Sequence, residues 1–75
     1  MIKEHDLVVL TEDVPAEGLK AGDVGTVVLV HSIPGYEVEI TTLVGSTIAV
    51  VSLFPHQVRA VGKREVAQAR ALEVA

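Results

Sequence analysis

The 75 residues predict a mainly β fold, a small five-stranded barrel followed by a C-terminal α-helix. Three observations carry that expectation. The chain is 49% hydrophobic but only 3% aromatic, so its apolar content is Val, Leu, Ile and Ala, with valine foremost; β-branched side chains suit the pleated surface of a strand. Five short apolar or alternating segments between Leu7 and Val61 are separated by Gly-, Pro- and Asp-containing turns. After Gly62 glycine and proline disappear and alanine and other helix formers take over. Two regions follow, a barrel over residues 1–61 and a helical extension over residues 62–75.

Leu7 to Leu10 read as the first strand, and Thr11-Glu12-Asp13-Val14-Pro15-Ala16-Glu17-Gly18 as a long irregular loop after it. A turn at Gly22 leads into Val24 to His31, a β-branched run too apolar on both faces for a solvent-facing strand and therefore expected at the centre of the sheet. Gly25 lies inside that strand, where glycine marks a bulge or the close approach of another backbone. Ser32-Ile33-Pro34-Gly35 turns the chain into Tyr36 to Thr41, where strict alternation directs Tyr36, Val38 and Ile40 to the core and Glu37, Glu39 and Thr41 outward. A hairpin around Gly45 returns the chain along Thr47 to Leu53. Phe54 to Gln57 form one turn of 3₁₀ helix before a last strand, Val58 to Val61. In the extension, Val66, Ala69 and Leu72 mark a thin apolar stripe that needs a surface to pack on, because so short a helix is marginal in water.

A chain this short buries only about 60% of its extended surface on folding, and with no cysteine it has neither a disulfide nor a thiolate metal site to supplement the core. The formal charge of −4, with the six Lys and Arg spread along the chain, disfavours binding to a phosphate backbone. Met1-Ile2-Lys3-Glu4-His5-Asp6 lacks the apolar run of a signal peptide, and no stretch approaches the ~20 apolar residues of a membrane span. The expected location is the cytoplasm, with no membrane contact.

Gly18-Leu19-Lys20-Ala21-Gly22-Asp23-Val24-Gly25-Thr26-Val27-Val28, Tyr36-Glu37-Val38-Glu39-Ile40, Ala49 to Leu53 and Gln57-Val58 together resemble short bacterial proteins grouped as domain of unknown function 4926, over residues 1–61. The resemblance implies an SH3-like barrel and no activity. Gly22-Asp23-Val24-Gly25-Thr26-Val27 also resembles the core of the KOW motif of SH3-like domains in ribosomal and transcription factors.

The residues argue against most site chemistries. Proline-rich peptides need an aromatic groove, and the chain has one Tyr and one Phe and no Trp. His5, His31 and His56 have no ligand spacing, so neither a metal nor a cofactor is expected. No nucleophile elbow, phosphate loop or catalytic histidine arrangement is present, and Glu37 and Glu39 lack a pocket, so no catalytic residue is assigned and the chain is read as a non-enzyme. Gly22, Gly25, Gly35 and Gly45 are assigned turn or bulge roles.

What exceeds a free-standing small barrel is surplus aliphatic surface, in residues 24–30 and 48–51. The expected function is a protein–protein interaction module that self-associates, as a homodimer or higher homo-oligomer, and that also holds another bacterial protein. Val66, Ala69 and Leu72 of the helix and the acidic pair Glu37 and Glu39 are the candidate interface. The alternatives are a nucleic-acid-binding or regulatory small barrel, with Arg59, Lys63, Arg64 and Arg70 as a basic edge, and the neutralising partner of a toxin.

Overall fold

The computed structural model describes residues 1–72 and contains five antiparallel strands in a single sheet: β1 (Leu7–Leu10), β2 (Val24–His31), β3 (Gly35–Thr41), β4 (Thr47–Leu53) and β5 (Val58–Ala60). Their spatial order is β4-β3-β2-β1-β5, so the long aliphatic strand β2 is central as expected, although Val28, Leu29 and Val30 in its second half stay exposed. One apolar cluster joins Val8 and Leu10 of β1, Val27 of β2, Val38 and Ile40 of β3, Val51 and Leu53 of β4, and Val58 of β5. Inner faces from both edges of the sheet share that cluster, so the sheet curls around its core. Among the described residues β4 and β5 do not pair, so the ladder is open rather than cylindrically closed. The linear strand order, with 3₁₀ turns at Pro15–Glu17 and Pro55–Gln57, is compatible with an SH3-like arrangement.

The long loop between β1 and β2 is folded back on itself by the Val14–Leu19 bridge, and Leu19, 2% exposed, plugs the core from above. Asp13 Oδ1 accepts from the Ala21 amide at 2.9 Å, and Gly22, at φ +95°, makes the final turn into β2. Two bulges bend the sheet. One inserts Val28 into β2, between Val27↔Val38 and Leu29↔Glu37; the other inserts Ile48 into β4, between Thr41↔Thr47 and Ile40↔Ala49. The β3–β4 turn needs Gly45, whose φ of +98° is a conformation that L side chains rarely adopt.

Gly25 marks a close approach, with the bulge three residues further on at Val28. A Cβ there would lie 2.5 Å from Val38 Cγ1, 2.7 Å from Ile40 Cδ1 and 2.9 Å from the Glu39 carbonyl oxygen. Only a residue without a side chain lets β2 lie flat against β3 at this point. Gly35 opens β3 rather than sitting in the turn, and its missing Cβ makes room for the Leu53 carbonyl at 3.2 Å.

The expected C-terminal helix is not present in residues 62–72; Glu73, Val74 and Ala75 lie outside the described residues. The segment instead crosses the outer face of the sheet as an irregular strap. Glu65 bonds back to the Gly62 amide at 2.5 Å and takes a two-pronged salt bridge from Arg59, both bonds 2.7 Å. Ala67 lies beside Leu7 and Val24 in a shallow depression of about 230 Å³. Arg70 then clamps Asp23. Two fixed anchors and a stripe too thin to bury outweigh helix propensity, and Lys63 and Arg64 oppose the dipole where the helix would begin. The strap crosses the face that carries Val9, which is 8% exposed yet stands apart from the core cluster on the other side of β1.

Candidate functional site

At the end of the sheet away from the strap, β2 and β4 each bring one polar side chain to a single carboxylate oxygen on β3. Glu37 Oε2 accepts from His31 Nε2 at 2.7 Å and from the Ser52 hydroxyl. The register explains the meeting: Ser52 stands directly opposite Glu37 on β4, and His31 lies two positions beyond Leu29, the β2 partner of Glu37. The His31 contact first, then the Ser52 hydroxyl, hold the Glu37 carboxyl below its ordinary value of 4.5. Glu39, two residues along on the same outward face, accepts from the Thr47 hydroxyl at 2.7 Å.

Next to this cluster the β2–β3 turn and the exit of β4 enclose an open apolar groove of about 350 Å³, bordered by Ile33, Pro34, Leu53 and Phe54, with His31 and Ser52 at its polar rim. Ile33 and Phe54 are 82% and 63% exposed. Phe54 is held by its stack on His56, with ring centroids 5.9 Å apart, and by Gln57 Oε1, which accepts from the Phe54 amide at 2.8 Å. His56 Nε2 lies 3.3 Å from Glu12, and its carbonyl accepts from the Thr11 hydroxyl, so the long loop and the 3₁₀ turn brace each other.

The geometry has a definite chemical meaning. Nucleophilic activation of a hydroxyl requires the imidazole to lie between hydroxyl and carboxylate; here the carboxylate lies between Ser52 and His31. Ser52 donates to an acid that is already a weak base, so its hydroxyl is oriented rather than activated. Of the three histidines, His31 faces Glu37 and His56 faces Glu12, while His5 occupies the left-handed region at φ 74° in the turn before β1. Among the described residues no three His, Asp or Glu side chains gather to hold a metal ion.

The other expected residues fall in separate places. Glu37 and Glu39 share the outward face as the alternation requires, but each is tied to neighbouring strands by hydrogen bonds. Val66, 91% exposed, Ala69 and Leu72 form no stripe, because the helix that would align them is absent. Arg59 and Arg70 of the basic edge are both engaged with carboxylates of this chain.

Residues 4–60 match the family described as Domain of unknown function (DUF4926). The chain belongs to that family. The DUF4926 match ends at Ala60, so the strap lies beyond it. Comparisons with curated proteins and with solved structures gave no match. No helix among the described residues is long and apolar enough to cross a membrane.

Proposed function

We propose that this DUF4926 chain is a small SH3-like, non-catalytic interaction module that works by associating with a second copy of itself. The observation that carries the reading is the aliphatic surface the strap does not reach: Ile48 and Val50 of β4 are each more than a third exposed. Such surface beside a carboxylate cluster that activates no nucleophile favours recognition over chemistry. A nucleic-acid role draws less support, since the ion pairs of Arg59 and Arg70 leave Lys63 and Arg64 as the cations of the basic edge, on a chain of charge −4. Light scattering on the full chain over a wide concentration range tests the reading. A mass of twice the 7.9 kDa chain is expected, and a single-chain mass at every concentration would overturn it.

A further inference from the structure

The two edges of the sheet differ sharply. Strand β5 has three residues, carries Arg59, and is followed at once by the strap segment that Glu65 ties to it. Shortness, charge and a covering segment are the devices by which natural sheets blunt an edge. Strand β4 has none of them. It is seven residues long, Thr-Ile-Ala-Val-Val-Ser-Leu, with no charge and no proline, and among the described residues it pairs with β3 alone. Its single bulge, at Ile48, leaves Ala49 to Leu53 regular.

We infer that two copies of this chain pair antiparallel through their β4 edges, making one continuous ten-stranded sheet across a two-fold axis near Val50. The inference rests on the self-association reading and assigns it a surface. The ends of the strand supply the argument for a second copy rather than a foreign peptide. Beyond the start of β4 the hairpin tip presents Leu43 and Val44, 81% and 92% exposed. Beyond its end lies the groove bordered by Ile33 and Phe54. A protruding apolar tip and an apolar recess at opposite ends of one unpaired strand are self-complementary. Antiparallel pairing about the middle of that strand brings the tip of each copy toward the recess of the other, as an isologous interface requires. The same pairing sets Val50 beside Val50 and Ala49 beside Val51 of the partner copy, so no charge faces a like charge. Each copy thereby satisfies the open β4 edge and shields the flank of Val50, which it cannot do alone.

The test compares three variants of the full chain by sedimentation and light scattering, with far-UV circular dichroism to verify the fold. Val50→Lys sets two ammonium groups opposite each other at the axis and should raise the dimer dissociation constant about tenfold or more. Leu29→Lys, on the outer face but off the edge, should leave it within about twofold. Val50→Cys, in a chain that otherwise lacks cysteine, should form a disulfide-linked dimer on mild oxidation, because directly opposed Cβ atoms of a non-hydrogen-bonded antiparallel pair lie about 4.5 Å apart, within disulfide reach. If Val50→Lys loses its strands, the cross-link decides. A dimer that persists in Val50→Lys or dissociates in Leu29→Lys, with no cross-link at Val50→Cys, would overturn the β4 interface and leave self-association standing. A monomer in the unmodified chain at all concentrations would overturn both.

Discussion

Arg70 grips Asp23 across 47 positions of chain, with Nε 2.7 Å from Oδ1 and Nη2 2.6 Å from Oδ2. The Arg70 bond is the main cause holding the Asp23 carboxyl below its ordinary value of 3.8. Asp23 also accepts from the Lys20 amide at 2.9 Å, and its carbonyl receives the Leu10 amide, so the clamp fastens the strap to the turn that launches the central strand. Arg70→Ala should lower stability by about 1 kcal/mol, after allowance for solvent screening, and the melting temperature by about 5 °C. Asp23→Asn should cost a similar amount. A double-mutant cycle should show the two losses to be largely shared; full additivity would mean that the pair contributes nothing as a pair.

Gly25→Ala tests the close approach of β2 and β3. The added methyl meets Cγ1 of the fully buried Val38 at 2.5 Å, Cδ1 of Ile40 at 2.7 Å and the Glu39 carbonyl at 2.9 Å. A loss of about 2 kcal/mol in urea unfolding is expected, with unchanged m-value. An unaffected midpoint would contradict the contact.

Acid should loosen the strap before the core. Glu65 is lowered from 4.5 to about 2, chiefly by Arg59 and then by the Gly62 amide, and Asp23 is lowered by Arg70. Both folded values lie below the unfolded ones, so the unfolded chain takes up protons first as pH falls. The stabilisation is complete above about pH 5 and is lost towards pH 2. Amide exchange at Ala67 and Gln68 should therefore accelerate between pH 5 and pH 2 relative to core amides, after correction for intrinsic rates. Glu65→Gln should remove the Arg59 share of that dependence, and an unchanged profile would count against the Glu65 anchor.

Truncation after Val61 removes both anchors and takes Ala67 away from Leu7 and Val24. The nine-residue core cluster lies on the other face and contains nothing from the strap, so the shortened chain should fold with stability reduced by about 2 kcal/mol. If β4 carries self-association, its mass should match that of the full chain. A truncated chain that becomes monomeric would return the assembly role to the segment holding Val66, Ala69 and Leu72.

Strand boundaries were legible because hydrophobic period and turn chemistry agree locally: Glu37 and Glu39 alternate with Val38 and Ile40, and Gly45 has one conformation to supply. The His31–Glu37–Ser52 cluster was not, although its members are in plain sight. Counting back from the hairpin turn without a bulge pairs Glu37 with Val51 and puts Ser52 on the inner face. The extra residue at Ile48 moves the register by one and brings Ser52 to Glu37. The strap was misread for the opposite reason. Residues 62–72 have local helix propensity, and the forces that overrule it are an ion pair to Arg59, six residues before Glu65 and outside the segment, and one to Asp23, 47 positions from Arg70.

The guarded β5 edge governs how large an assembly can become. A sheet able to accept strands at both borders would recruit copies without limit and grow into a fibre. With Arg59 and the strap at one border, a chain that joins through β4 presents only stoppered ends to the solvent. If copies pair through β4, Arg59 and Glu65 act as a chain terminator, and growth halts at two.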